Sequence, residues 1–171
     1  MELMKSYLTA DFFTHSYRIS GQVDTGHKRL FEMLNDGLTS YLELRKAFVS
    51  RINQPSEIIA THAVSALRKD GILFVVLAAS EQGVTDRVTY SFFSKRRYDV
   101  FLTVPFFEIK GHLEMAGKLD LKTVLVMKGT FLSLSESEAR LSSLAEISFS
   151  GEEILVNQSW IELFCITEAA S

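Results

Sequence analysis

The chain has 171 residues, of which 47% are hydrophobic and 23% are charged, and its formal net charge is −3. This composition is close to that of an average globular protein, which excludes a disordered tail, a collagen-like fibre and a disulfide scaffold. The acidic balance of 21 Asp plus Glu against 18 Lys plus Arg argues against a dedicated DNA-binding protein.

The cysteine content and the hydrophobic runs bear on the compartment. Cys165 is the only cysteine, so it cannot form an intramolecular disulfide, and we expect a cytoplasmic protein. The first seven residues lack the features of a secretory signal, and the longest apolar run, residues 72–79, is far shorter than the roughly 20 residues of a membrane helix. We therefore expect no membrane span.

The mean hydropathy of +0.13 favours a buried partner surface, and we expect a homodimer or a protein partner.

The sequence resembles itself at an offset of 90 residues, which becomes 89 after a one-residue deletion. Apolar positions match apolar positions; the pairs include Tyr17 with Phe107, Ile19 with Ile109, Gly21 with Gly111, Tyr41 with Phe131, Ile58 with Ile147 and Ile72 with Ile161. This pattern predicts a tandem duplication. The alternative is two unrelated halves with similar alternation.

In the first copy, alternation predicts a strand over residues 17–23. A short helix follows, beginning near Thr25-Gly26 and ending at Asn35-Asp36-Gly37. Strands are expected from residue 41 towards 52 and over 57–67, with a turn at 53–56 between them. Lys69-Asp70-Gly71 is predicted to close a hairpin, and the apolar run 72–79 to form a strand buried on both faces.

A connecting hairpin is predicted next, with strands over 84–93 and 98–104 around Ser94-Lys95-Arg96-Arg97. In the second copy we expect a helix over 119–127 and strands over 131–135, 145–156 and 160–166. The predicted fold class is α+β, mainly β: two tandem β-α-β-β-β repeats forming small barrel-like units packed about a pseudo-twofold axis. The predicted division is 1–80 for the first repeat, 81–97 for the connecting hairpin and 98–171 for the second repeat. Whether the copies form separate barrels or one shared sheet is open at this point.

Short motifs resemble a group of uncharacterised prokaryotic β-rich domains. They are Arg29-Leu30-Phe31-Glu32-Met33-Leu34-Asn35-Asp36, Ser40-Tyr41-Leu42-Glu43-Leu44 and Ile154-Leu155-Val156-Asn157-Gln158-Ser159-Trp160-Ile161. The resemblance implies a compact β-domain, with an asparagine turn before the last strand and no known activity. The first copy departs from it, because Arg68-Lys69-Asp70 stands where the second has Asn157-Gln158-Ser159.

No residues in the sequence form a recognisable catalytic pattern. The four histidines, His15, His27, His62 and His112, lack metal-ligand spacing, so we expect no metal site and no cofactor. Cys165 alternates with apolar residues, as a buried filler would, and no serine stands in a nucleophile elbow. We expect a non-enzymatic protein without catalytic residues.

Two basic segments are candidates for ligand binding. Gly26, His27, Lys28 and Arg29 lie at the predicted N-terminus of the first helix, where free backbone N–H groups can bind a small anion. The other segment combines Phe93, Lys95, Arg96, Arg97 and Tyr98, since cations beside aromatic rings can hold single-stranded nucleic acid. For the second segment, the acidic balance of the chain and a solvated turn are the competing explanation.

Adjacent phenylalanines occur at Phe12-Phe13, Phe92-Phe93 and Phe106-Phe107. Neighbouring residues of a strand point to opposite faces, so one ring of each pair must be covered by the other copy or by a partner. The sequence therefore favours an interaction or regulatory module. Single-stranded nucleic-acid binding and small-anion binding are the alternatives.

Overall fold

The structure, a computed structural model, describes residues 5–81, 95–116, 120–125 and 130–168. Its strands in chain order are β1 (Tyr7–Phe13), β2 (Tyr17–Asp24), β3 (Tyr41–Arg51), β4 (Gln54–Arg68), β5 (Phe74–Leu77), β6 (Lys95–Val104), β7 (Phe107–Ala116), β8 (Phe131–Leu141), β9 (Ser148–Asn157) and β10 (Leu163–Glu168). Helix α1 spans Leu30–Asn35 and helix α2 spans Leu121–Leu125, and 3-10 turns occupy Lys69–Gly71 and Gln158–Trp160.

All ten strands form one sheet, in the order β10-β6-β7-β8-β9-β5-β1-β2-β3-β4. Every neighbouring pair is antiparallel. The order β5-β1-β2-β3-β4 in one half matches β10-β6-β7-β8-β9 in the other. The halves meet where Phe74–Leu77 of β5 pairs with Glu153–Val156 of β9, a contact that we call the joint.

The strands at the joint are buried on both faces. In β5, Phe74 and Val76 face one hydrophobic cluster, made mainly by β6 to β9. Val75 and Leu77 face a second cluster, made mainly by β1 to β3 and α1. Each half thus packs its core against the opposite face of the same central strands. The strand predicted over 72–79, buried on both faces, is confirmed for Phe74–Leu77, whereas Ala78 and Ala79 are exposed.

The predicted fold class is wrong. The helices have only six and five residues, and the strands belong to a single ten-stranded antiparallel sheet instead of two barrel-like units about a pseudo-twofold axis. The physical reason is the pairing of β5, which lies between β1 and β9. Because its two edges are bonded to strands from different halves, neither half closes on itself.

Three local predictions also need correction. Lys69-Asp70-Gly71 forms a 3-10 turn and closes no hairpin, because β4 lies at a sheet edge while β5 lies at the centre. β4 begins at Gln54, so the turn before it is shorter than the predicted 53–56. No strand bounds were predicted over Tyr7–Phe13, yet β1 connects β5 to β2.

The adjacent phenylalanines differ in their surroundings. Phe12 and Phe13 are both fully buried, one in each cluster. Phe107 is buried, whereas Phe106 is exposed in the turn between β6 and β7. Phe92 and Phe93 lie outside the described residues. Internal packing therefore covers both rings of the first pair.

Lys69 holds the end of α1. Its ammonium donates hydrogen bonds to the carbonyl oxygens of Met33 (2.6 Å) and Asp36 (3.0 Å) and to Thr39 Oγ1 (2.8 Å). These acceptors satisfy all three donors of the buried group. Burial lowers the pKa of Lys69, and the charge of Asp36 opposes that shift.

Candidate interaction surface

β4 forms one edge of the sheet and is its longest described strand, at fifteen residues. Among the residues that the structure describes, it pairs only with β3. Its outer side therefore presents backbone N–H and C=O groups to which another strand can add. This row of groups is the principal candidate site.

The side chains of β4 make this edge unusual. Residues 58–67 contain no Lys, Arg, Asp or Glu, although edge strands commonly carry charges that discourage pairing. Ile58 is 57% exposed and Val64 is 58% exposed. Pro55 and the irregular pairing of β3 with β4 both lie towards the hairpin end. Residues 58–67, which are most of the strand, are thus uncharged, largely apolar and accessible, as expected of an interaction edge.

The predicted anion-binding residues lie in the turn before α1. Gly26 has a φ of +56°, and His27 and Lys28 are exposed. Arg29 is the N-cap residue of α1 and forms an ion pair with Glu32 at 3.6 Å. The structure therefore brings the four residues together as one turn.

A carboxylate of the chain itself occupies the start of α1. Glu81 accepts hydrogen bonds from the N–H groups of Leu30 (2.7 Å) and Phe31 (3.4 Å). These are the donors that an external anion would need. The anion-binding interpretation stays a prediction, and this contact weighs against it.

Glu81 is itself linked to the joint. Its backbone N–H donates to Glu153 Oε2 at 3.1 Å, and Ser133 donates to Glu153 Oε1 at 2.6 Å. Burial, the largest cause, and the charge of Glu153 raise the pKa of Glu81, while the hydrogen bonds from α1 and the charge of Arg29 oppose the rise. The sequence pattern did not predict this pair, because the two residues are 72 positions apart.

The residues predicted to bind nucleic acid do not form one exposed surface in the described part of the chain. Phe93 and the side chain of Lys95 lie outside the described part of the chain. Lys95, Arg96 and Arg97 begin strand β6, and Arg97 is paired with Glu136. Tyr98 is 4% exposed and belongs to a hydrophobic cluster, so its ring is not available for stacking on a base. The nucleic-acid interpretation stays a prediction without a described stacking platform.

A depression of about 400 Å³ is lined by residues of β10, β6, β7 and β8. In it His112 Nδ1 lies 2.7 Å from Asp99 Oδ1, in an orientation that makes no hydrogen bond. Cys165 lines the same depression and is exposed, so the expectation of a buried filler is wrong. However, β6 separates the strand of Cys165 from that of His112, which places their backbones roughly 9–10 Å apart.

Nucleophilic catalysis needs a thiol and a base within hydrogen-bond reach, and this arrangement does not show such a pair. In the described ranges, no three His, Cys, Asp or Glu residues form a group that could hold a metal ion. The depression therefore supplies no chemistry on which a function can be argued.

No helix within the described ranges is both long enough and apolar enough to cross a membrane. In comparisons with known proteins, no family model, curated protein or solved structure matches this chain.

Proposed function

We propose that this protein is a non-enzymatic interaction module that binds an extended segment of another polypeptide by adding it to the sheet beside β4. The observation that carries the proposal is the uncharged, exposed stretch Ile58–Leu67 at an edge whose only described strand partner is β3. Main-chain hydrogen bonds would supply affinity, and the side chains on the two faces would supply specificity.

The chemistry of the strand supports a polypeptide partner over a charged ligand. The only titratable side chain between residues 58 and 67 is His62, so nothing there offers a fixed charge to a phosphate. Binding of a strand would instead remove apolar surface of the exposed Ile58, Ile59 and Val64 from water. This burial would stabilise the complex by roughly 25 cal/mol per Å². We place this role in the cytoplasm, because an exposed lone cysteine is stable in a reducing compartment.

The test compares two purified variants with wild type. Ile58→Lys with Val64→Lys puts two charges on the β4 edge. Leu38→Lys with Leu121→Lys makes the same charge change at exposed leucines outside β4. Each protein is isolated gently from its source cells and weighed by native mass spectrometry, and amide hydrogen exchange is measured for β4.

We expect wild type and the control variant to retain a stoichiometric polypeptide that slows exchange of the β4 amides. The edge variant should lose it. If the edge variant retained the polypeptide as well as wild type does, the proposal would be overturned. A wild type that is isolated as a bare monomer would overturn it too. Retention of a small anion or an oligonucleotide in place of a polypeptide would favour the alternative functions.

A further inference from the structure

We propose that the strand added to β4 is β10 of a second copy of this chain, so that copies join head to tail through their sheets. This inference rests on the function proposed above and names its partner. It starts from the two ends of the sheet that the described residues form, which are β4 and β10. Within the described residues, β10 pairs only with β6. Each copy thus has one β4 edge and one β10 edge available for pairing.

The joint inside the molecule shows how two such strands pair. β4 ends at Arg68 and β9 ends at Asn157, each directly before a 3-10 turn. β5 then begins at Phe74 and β10 at Leu163. Each pair of positions is separated by 89 residues. In the order of strands, β9 therefore corresponds to β4 and β5 corresponds to β10. Since β9 and β5 are bonded to one another, the molecule already contains one contact of the proposed kind.

Exposed side chains mark where the second contact would form. Phe74 is fully buried at the joint, whereas Leu163, its counterpart on β10, is 51% exposed. Phe107, which begins β7, contacts Phe74 edge-to-face at 4.8 Å between ring centroids. Its counterpart Tyr17, which begins β2, is 43% exposed while Phe107 is 1% exposed.

The same difference occurs on the other face of the joint. Phe131, the first residue of β8, is 2% exposed and packs in the cluster that contains Val75 of β5. Tyr41, the first residue of β3, is 53% exposed. Tyr17, Tyr41 and Leu163 thus stand where the joint buries a phenylalanine. Pairing of β4 with β10 would cover them.

Charge places no obstacle at the proposed contact. Neither residues 58–67 of β4 nor residues 163–167 of β10 include Lys, Arg, Asp or Glu. No ion would therefore be removed from water in the paired segment, a step that is unfavourable when the charge is left unpaired.

The close approach of Gly151 to β5 is not required in the proposed contact between β4 and β10. Gly151 of β9 faces the carbonyl oxygen of Leu77 so closely that a Cβ atom would lie 2.3 Å from it. The corresponding residue of β4 is His62. β5 ends at Leu77, but β10 continues along β6 as far as Glu168. The close approach belongs to the end of β5, so a side chain at residue 62 does not meet the same obstruction on β10.

The joint also fixes the expected register. Phe74 pairs with Val156, and Val76 pairs with Ile154. At the corresponding positions, Leu163 would face Leu67 of the next copy and Cys165 would face Ser65. Because the two surfaces differ, this contact is heterologous, and repeating it gives a ring or an open chain.

Disulfide trapping in the full chain tests that register. Ser65→Cys puts a thiol opposite the expected place of Cys165, at the separation of about 4.5–5.5 Å between facing residues that a disulfide can span. Under mild oxidation we expect disulfide-linked dimers and longer oligomers, with the bond mapped between residues 65 and 165. Replacing Cys165 by Ser in the same variant should abolish that bond.

Ser56→Cys is the matched control, because Ser56 is exposed on the same strand but lies outside the predicted pairing. Equal cross-linking of this control would overturn the proposal. Bonds found only between residues 65 of two copies would overturn it as well.

Sedimentation equilibrium gives an independent measurement without a new cysteine. We expect the mean mass of wild type to rise with concentration and the rise to be lost in Leu163→Glu. It should persist in Leu144→Glu, since Leu144 is 38% exposed but lies between β8 and β9. A monomeric wild type that still holds another polypeptide at β4 would overturn the second-copy proposal and leave strand addition standing. Absence of both would overturn both.

Discussion

Gly151 and Leu77 approach one another more closely at the joint than any larger residue at position 151 would permit. A Cβ atom on Gly151 would lie 2.3 Å from the carbonyl oxygen of Leu77 and 2.9 Å from Val76 Cγ1. The neighbouring atoms include backbone, which cannot rotate away as the end of a flexible side chain can. The absence of a side chain at residue 151 therefore allows the end of β5 to lie this close to β9.

Gly151→Ala should lower the free energy of unfolding by about 1–3 kcal/mol, because the added methyl group forces β9 and β5 apart. Denaturant unfolding followed by the fluorescence of Trp160, the only tryptophan, would measure the loss. Gly37→Ala is the control, since a Cβ atom there meets nothing within 4 Å. Equal stability of the Gly151→Ala protein and wild type would contradict the close approach.

Lys69→Met should destabilise the fold by about 1–3 kcal/mol, since the carbonyls of Met33 and Asp36 lose their charged donor. Thermal or denaturant unfolding would report the change. Lys122→Met provides the comparison, because Lys122 is exposed on α2. If the two variants lost equal stability, Lys69 would not hold the end of α1 as described.

Glu81 makes stability depend on pH in a definite direction. Its pKa is raised in the folded protein above the ordinary 4.5, so the folded state binds more protons than the unfolded state between the two values. The contribution of Glu81 to stability is then fully present below the ordinary pKa and is lost as the pH rises through that window. Glu81→Gln should remove this fall. Unfolding free energies measured from pH 4 to pH 8 test it, and parallel profiles for the two proteins would contradict the assignment.

Asn157 ties β9 to the segment that precedes β5. Its side chain donates to the carbonyl oxygen of Ile72 at 2.9 Å and accepts from the N–H of Ser159 at 3.1 Å, and the residue is 1% exposed. Asn157→Ala should cost about 1–3 kcal/mol, because the buried carbonyl of Ile72 loses a partner. Asn53→Ala, at an exposed turn residue, serves as the control in the same unfolding measurement. A cost at residue 53 as large as that at residue 157 would count against this explanation.

The local pattern of the sequence predicted several strands close to where they occur. Alternation at residues 17–23 corresponds to β2, and the apolar run at 72–79 contains β5. Val75 and Leu77 face one cluster while Phe74 and Val76 face the other, as a strand buried on both faces requires. Period and apolarity therefore determined strand position and side-chain direction.

The neighbours of each strand were not predictable in the same way. Residues 57–67 and 72–79 were both predicted to be strands, and Lys69-Asp70-Gly71 between them was predicted to close a hairpin. In the structure β4 is an edge strand, while β5 lies four strands away at the joint. The candidate surface on β4 was missed for this reason, although its uncharged stretch was visible in the sequence.

The sequence by itself indicated most of the strands, with β1 the exception, because side chains of an extended chain alternate between two faces with a period of two. Only the tertiary structure decided that β5 pairs with β9, that Glu81 reaches the start of α1, and that β4 is left at an edge. Strand pairing depends on hydrogen bonds and packing between segments far apart in the chain, and the pattern within a single segment does not specify its partner.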